Sequence, residues 1–171
     1  MELSFWSKIL LEVTLAVLAV LTIFCPYLGI LGAAIVIILI FNEITTHNSE
    51  RADFKRKIIH EALGIVDHII ASTSASRILC PVWSGKTEGF KTDVLDVEDY
   101  VLWKQFYGAV EERNEYYRTR EGLEWSVFAK FNRAIYDNFF NVLNGVLWVK
   151  QAIPEEDVSN LLSRAKQSAC I

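Results

Sequence analysis

The sequence is poor in cysteine and proline, with three of each in 171 residues. Cys25, Cys80 and Cys170 are odd in number and widely spaced, which excludes both a disulfide framework and a cysteine-based metal site. The pattern is typical of free thiols in a reducing compartment. Cys170 is the second-last residue, so the prenylation motif, which needs cysteine at the fourth-last position, is also missing.

An excess of positive charge is missing as well. From residue 78 to the end the chain has 11 Lys and Arg against 14 Asp and Glu. A protein that binds a phosphate backbone needs a basic surface, because its cations replace the counterions of the nucleic acid. We therefore expect no nucleic-acid partner.

Several motifs that carry chemistry are incomplete. The tripeptide at 85–87 is the GKT of a phosphate-binding loop, but Cys80 stands where that loop needs its first glycine. His60-Glu61 begins like a zinc-protease motif, but Gly64 replaces the second histidine. The chain also has no Glu-x-x-His pair of the kind that di-iron bundles use. The sequence predicts no metal ion and no cofactor.

Charge is absent from one long stretch, Val13 to Phe41, which contains 29 residues. A single helical crossing of a bilayer needs about 20 apolar residues. A signal peptide has an apolar region of only about 7–15 residues, so this stretch is too long for one. The sequence therefore predicts an integral membrane protein whose residues 1–47 form the anchor.

The number of membrane crossings has two interpretations. One helix over the whole stretch would be about 43 Å long, against a hydrocarbon core of about 30 Å, and would have to tilt. A helical hairpin would turn at Cys25 to Gly29, where Pro26 removes a backbone donor and Gly29 permits a reversal. The hairpin is the preferred prediction, and the single long helix is the alternative.

Four basic residues follow the apolar stretch closely and predict its orientation: Arg51, Lys55, Arg56 and Lys57. Basic residues beside a membrane helix are retained on the cytoplasmic side. The domain after the anchor is therefore expected in the cytoplasm. These residues either determine topology alone or also contact anionic lipid head groups, and the sequence does not separate the two roles.

Residues 48–171 are predicted to form a helical domain. The polar stretch 42–49 predicts an end or a kink in the membrane helix, and Asn48 or Ser49 would cap a new helix that ends near Ser72. Helical stripes then predict three further helices, from Asp96 to Thr119, from Leu123 to Gln151 and from Pro154 onward. The predicted fold class is all-α, a membrane anchor followed by a small cytoplasmic bundle of about four helices.

Residues 72–95 interrupt the helical pattern. A Ser/Thr cluster, Pro81, Gly85 and Gly89 predict a long loop. Within it, residues 78–83 and 90–95 could pair as a short β-hairpin. Loops of this length are uncommon in compact domains and are often functional.

The domain is rich in aromatic residues, with 13 Phe, Trp and Tyr between residues 97 and 150. Each large ring buries about 150–250 Å² when covered, and a four-helix core of this size cannot enclose them all. Some rings should therefore face a partner. The candidates for partner binding are Trp103, Tyr107, Tyr117, Trp125, Phe128, Tyr136 and Phe140.

These observations favour a non-enzymatic interaction or assembly module in the membrane, which would form a homo-oligomer or join a membrane complex. The alternative is a membrane-tethered sensor or binding protein for an apolar small molecule or lipid. An enzyme is the third interpretation. It would need His60, Asp67 and His68 to meet Cys80 or Lys86 from the long loop.

Overall fold

The computed structural model describes residues 12–14, 16–17, 19–20, 26–71, 76–119 and 124–167. These residues are predominantly helical and contain no β-strand, which confirms the predicted all-α fold class. The chain divides into two compact units, unit 1 at Met1–Ala52 and unit 2 at Asp53–Ile171.

The helices have the following bounds in chain order: α1 Pro26–Ala71, α2 Pro81–Ser84, α3 Glu88–Val94, α4 Val97–Thr119, α5 Trp125–Gly145, α6 Leu147–Ala152 and α7 Glu155–Gln167. The described residues before Pro26 are also helical. The predicted bounds of α4 are therefore correct to within one residue.

The apolar part of α1 in unit 1 is uncovered. Ile30 and Phe41 are 68% and 71% exposed, and the apolar side chains between them are mostly exposed too. By length and composition this helix could cross a membrane, and none of its apolar window is buried within the chain. It therefore differs from the core helix of a globular domain, which hides its apolar residues.

The expected helix end at residues 42–49 is wrong, because α1 runs through this stretch as one helix, and the alternative of a kink there stays a prediction. The hydroxyl groups of Thr45 and Thr46 donate to the carbonyl oxygens four residues earlier, at 2.8 and 2.9 Å. Such bonds satisfy the hydroxyl groups inside a helix, so polarity alone does not end it. Asn48 and Ser49 are consequently interior positions of α1 and not caps.

The predicted hairpin turn lies partly outside the described residues. Pro26 is the first described residue of α1. Tyr27 to Gly29 are helical and not a turn. Residues 21–25 lie outside the described ranges, and the number of crossings stays a prediction.

The core of unit 2 lies between α1, α4 and α5. Its fully buried apolar residues are Ile58, Val66 and Ile69 from α1, Trp103, Phe106 and Val110 from α4, and Ile135, Phe139 and Val142 from α5. In each helix these residues repeat at intervals of three, four, seven or eight, the spacing of one helical face. The Phe106 and Phe139 rings lie with their centroids 5.9 Å apart.

The predicted β-hairpin within residues 72–95 is wrong, because the described part of this segment forms the short helices α2 and α3. Backbone N–H groups at both helix starts bind side-chain oxygens. Those of Val82 and Trp83 donate to Glu61, and that of Phe90 donates to Thr87 Oγ1 at 3.3 Å. Side chains thus supply the acceptors that a paired strand would otherwise provide.

The predicted long helix at 123–151 is two helices in the structure. Val146 leaves the helical conformation, with φ −100° and ψ 103°, and α6 begins at the next residue. Both Val146 and Val149 are fully buried, so the break brings α6 onto the core. Helix α7 buries Leu161 and Ala165, and Arg164 forms an ion pair with Asp67 of α1.

Candidate functional site

The predicted partner-binding aromatic residues fall into three groups. Trp103, Tyr107 and Phe128 are buried in the core of unit 2, where they pack against other rings of the same chain. Tyr136 and Phe140 are half-buried on α5, with ring centroids 4.8 Å apart. Tyr117 and Trp125 are exposed, at 38% and 55%. Only the last two offer a large part of their rings to a partner.

Tyr117 and Trp125 belong to a cluster of rings where α4 ends and α5 begins. We call this cluster the aromatic end and define it as Tyr116, Tyr117, Trp125, Phe128 and Phe131. The Tyr116 and Phe131 rings lie 5.3 Å apart, and Trp125 meets Phe128 edge to face at 5.8 Å. The Tyr116 hydroxyl also accepts a hydrogen bond from a backbone N–H at the start of α5.

The two exposed rings extend the core-facing stripes of their helices. Tyr117 follows the buried residues Val110 and Arg113 of α4 by seven and four positions. Trp125 precedes Phe128 and Asn132, both buried in α5, by three and seven positions. Residues at these spacings lie on one face of a helix. The apolar face therefore continues past the core and becomes exposed at the aromatic end.

A buried cation lies directly beneath this end. Arg113 is 1% exposed, and among the described residues no carboxylate forms an ion pair with it. Its Nε donates to Asn132 Oδ1 at 2.8 Å, and Nη1 donates to the Ser76 carbonyl oxygen at 2.7 Å. The guanidinium lies 4.3 Å from the Phe128 ring centroid. Burial lowers the pKa of Arg113 to about 10, so it stays charged at neutral pH.

The neighbouring Asn114 fixes the start of the segment that precedes α2. Its amide nitrogen donates to the Ile78 carbonyl oxygen at 2.7 Å, and its oxygen accepts from the Ile78 N–H at 2.9 Å. Arg113 binds the same segment at Ser76. The Arg113-Asn114 pair therefore holds residues 76–78 against α4, beside the aromatic end.

An open groove borders the aromatic end on the α4 side. It is lined by Arg77, Glu111, Glu112, Asn114, Glu115, Tyr117 and Arg118. The charges in it are mixed, and Arg118 pairs with Glu115 at 2.7 Å. An apolar ligand requires a mostly apolar lining, so the groove does not support the ligand-binding alternative. Among the described residues no group of His, Cys, Asp and Glu could hold a metal ion.

A second polar cluster surrounds Glu61 on α1. Its carboxylate accepts hydrogen bonds from the N–H groups of Val82 and Trp83, at 2.7 and 3.2 Å, and from the Tyr107 hydroxyl at 2.8 Å. The Trp83 ring stacks on Tyr107 at 4.6 Å, and the buried Lys91 amine lies 4.3 Å from the Trp83 ring centroid. Burial, reinforced by Glu61, raises the pKa of Tyr107. The cluster fastens α2 and α3 to α1 and α4.

The residues considered for an enzyme each have surroundings of their own, and no hydrogen bond or ion pair between any two of them is seen in the described part of the chain. His60 is exposed, Asp67 pairs with Arg164, and His68 is hydrogen-bonded to Ser76 at 2.9 Å. Lys86 lies over the Phe90 ring. Burial, with a smaller effect of two glutamates, raises the pKa of the Cys80 thiol to about 12, so the thiol is protonated at neutral pH and is a weak nucleophile.

The basic residues after the apolar stretch have different surroundings. Arg56 and Lys57 pair with Asp53 at 2.8 and 2.6 Å. The Lys55 amine lies 5.0 Å from the Trp148 ring centroid. Arg51 belongs to unit 1. The exposed pairs contribute little to stability, which leaves these cations available for other roles.

Comparisons of the chain with protein families, with characterised proteins and with solved structures find no match.

Arg113 and Asn132 form a buried pair that the sequence does not predict. A signal for Arg113 was present, because it occupies an apolar stripe three residues after Val110 and four before Tyr117. A charged residue within such a stripe must find partners inside the fold. Asn132 carries no comparable signal, because its neighbours Lys130 and Arg133 belong to the exposed polar face of the same helix.

Proposed function

We propose that the chain is a non-enzymatic interaction module that is anchored in a membrane by residues 1–47. Its cytoplasmic domain, a bundle of about four helices, binds a protein partner through the aromatic end. The partner is a second copy of the chain or another subunit of a membrane complex. This function assigns no catalytic residue, metal ion or cofactor.

The observation that carries the proposal is the exposure of Trp125 and Tyr117 on a continued core stripe above Arg113. Binding energy at protein interfaces is concentrated in a few residues, and Trp, Tyr and Arg are the types most enriched among them. Phe128 contacts both Trp125 and Arg113, so the exposed ring and the buried cation are connected through a single side chain. The cluster is consequently preorganised for binding.

Membrane anchoring is supported by the uncovered apolar segment of α1. Apolar surface left in water costs about 25 cal/mol per Å², so a helix with Ile37, Ile38, Leu39 and Phe41 all exposed requires a cover. A lipid bilayer provides it. The basic residues that follow predict that unit 2 lies on the cytoplasmic side.

The proposal is tested by sedimentation of the chain after native membranes are solubilised in a mild detergent, which measures the size of any complex. We expect wild-type chain to sediment as a discrete species heavier than a 19.5 kDa monomer in its detergent micelle. Replacing Tyr117 and Trp125 together by Ala should shift it to the smaller species, because a hot-spot ring typically contributes at least 2 kcal/mol to binding.

Val101→Ala is the matched control. Val101 is an exposed apolar residue of α4 that lies outside the aromatic end. Its replacement by Ala should therefore leave the complex intact. If the wild-type chain and the double variant sediment identically, the aromatic end is not the binding surface. Unchanged helix content by circular dichroism must accompany the result, since unfolding would also dissociate a complex.

A further inference from the structure

We infer that one end of unit 2 rests on the head groups of the bilayer in which the chain is anchored. The contact surface consists of Lys55, Lys86, Phe90, Leu147, Trp148 and Lys150, and we call it the lysine–aromatic surface. This inference rests on the proposed membrane anchoring and adds a second interaction surface, distinct from the aromatic end.

Contacts within unit 2 bring these residues to the end at which its chain begins. The Phe54 ring meets the Phe90 ring edge to face at 5.3 Å, and the Lys86 amine lies 4.5 Å from the Phe90 ring centroid. The Lys55 amine lies over Trp148. Two separate short helices, α3 and α6, therefore meet the first residues of unit 2.

Leu147 is an exposed apolar residue at this end, with 69% of its surface accessible. It is the first residue of α6 and precedes the half-buried Trp148, whose indole N–H donates to Asp99 at 2.7 Å. Lys150 follows on the same short helix and is exposed. An exposed aliphatic side chain beside a Trp ring and lysines is typical of a membrane-water interface.

Two lysine amines at this end are available to anionic phosphates. Asp53 pairs with Arg56 and Lys57, and Glu88 accepts from Lys91 and Tyr100. In the described part of the chain, by contrast, no carboxylate pairs with the Lys55 or Lys86 amine, and both lie over rings. These two amines can therefore bind lipid phosphate without breaking an ion pair. The exposed Asp96 and Glu98 stand at the start of α4, which adjoins the surface, so the attraction for anionic lipid comes from the lysine amines.

The aromatic end and the lysine–aromatic surface lie at different places in unit 2. It lies where α4 ends and α5 begins, whereas the lysine–aromatic surface adjoins the start of α4 and the end of α5. The anchor precedes unit 2 directly, with eleven residues between Phe41 and Asp53. A bilayer contact at the lysine–aromatic surface leaves the aromatic end free to bind a protein.

The test uses full-length chain in vesicles of phosphatidylcholine mixed with phosphatidylglycerol. A small fraction of the phosphatidylglycerol carries a photoreactive diazirine in its head group, and mass spectrometry maps the labelled peptides. We expect labelling of peptides with residues 86–90 and 147–150 at a level several-fold above that of residues 116–131. Replacing Lys55, Lys86 and Lys150 together by Glu should reduce the labelling of both peptides several-fold.

A second probe with the diazirine in the acyl chain separates failure of this inference from failure of anchoring. Labelling of residues 13–41 by that probe, with no head-group labelling above background at 86–90 and 147–150, overturns the inference and retains the anchor. Absence of labelling at 13–41 overturns the anchor itself. Equal head-group labelling of the aromatic end and of the lysine–aromatic surface also contradicts the inference.

Discussion

Arg113 is held in the interior by an amide oxygen, a carbonyl oxygen and a ring. A buried hydrogen-bonding group that loses its partner costs about 1–3 kcal/mol, and more when it is charged. Asn132→Ala should therefore lower the free energy of unfolding of unit 2 by about 1–3 kcal/mol. Urea unfolding of the full chain in detergent micelles, followed by tryptophan fluorescence, measures this change.

Two other variants serve as controls for the unfolding free energy of Asn132→Ala. Asn132→Asp keeps the acceptor and adds a charge that attracts the guanidinium, so it should unfold no more easily than wild type at neutral pH. Arg133→Ala changes the exposed neighbouring residue and should have little effect. If Asn132→Ala and Arg133→Ala unfold alike, the hydrogen bond to Arg113 does not contribute to stability.

The Cys80 thiol gives unit 2 a defined response to alkaline pH. Burial raises its pKa from 9.0 to about 12. Above pH 9 the unfolded chain releases the thiol proton while the folded chain retains it, so stability is complete below pH 9 and falls as the pH rises toward 12. Cys80→Ala should reduce this loss, which is measured as the fall of the unfolding temperature between pH 9 and pH 12.

The same burial predicts that the Cys80 thiol reacts slowly with alkylating reagents. Alkylation by iodoacetamide near pH 8 should proceed far more slowly in folded than in urea-unfolded chain, because the thiolate is the reactive form. In a variant with Cys25 and Cys170 replaced by Ser, Cys80 is the one thiol left to react, so the measured alkylation rate is that of Cys80. Equal rates in the two states would contradict the raised pKa.

At the scale of elements, the segment from residue 76 to α3 is fastened to the helices by two side chains. Asn114 binds Ile78, and Glu61 binds Val82 and Trp83. Glu61→Ala removes the acceptor of two N–H groups and should increase amide hydrogen exchange at Val82 and Trp83 by about tenfold or more.

Amide hydrogen exchange in other helices shows whether the effect of Glu61→Ala is confined to the segment around Val82 and Trp83. The amides of α5 around Phe139 should keep their protection in the Glu61→Ala chain, because the hydrogen bonds of Glu61 run to α2 and to Tyr107 of α4. Glu111→Ala, an exposed glutamate on α4, is the control. Loss of protection in α5 as well would mean that Glu61 supports the whole unit and not one segment.

Elements with a long regular pattern could be predicted from the sequence, and short ones could not. The stripe of α4 defines its bounds, whereas α2 and α3 span four and seven residues and are too short to show a helical period. The break at Val146 falls between apolar residues without a proline, so no local signal marks it. Polar residues at 42–49 were misleading because a helix accepts Thr, Asn and Ser when nothing else ends it.

The candidate site could be predicted only in part, for a related reason. Trp103, Phe128, Tyr117 and Trp125 occupy equivalent stripe positions, so spacing alone cannot separate core rings from exposed ones. The difference arises from which side chains of other helices cover each ring, which is a tertiary property. Arg113 was similarly hidden, because its acceptors Ser76 and Asn132 lie 37 and 19 residues away in sequence.

At the scale of the whole molecule, the basic residues Arg51 to Lys57 predict a cytoplasmic C-terminus for both anchor topologies. A tag after Ile171 should therefore be protected from protease in intact cells and digested after lysis. A tag before Met1 distinguishes the topologies, being protected for a hairpin and digested for a single crossing. Digestion of the C-terminal tag in intact cells would contradict the predicted orientation.

The aromatic end is proposed to bind a protein partner at the membrane that anchors the chain. The most direct measurement is photocrosslinking from a benzoyl-phenylalanine placed at Trp125 in native membranes, with the same probe at Val101 as the control. We predict one discrete adduct at Trp125 only, of twice 19.5 kDa for a second copy of the chain and of another fixed mass for a different subunit. No discrete adduct at Trp125, or the same adduct at both positions, would contradict the claim.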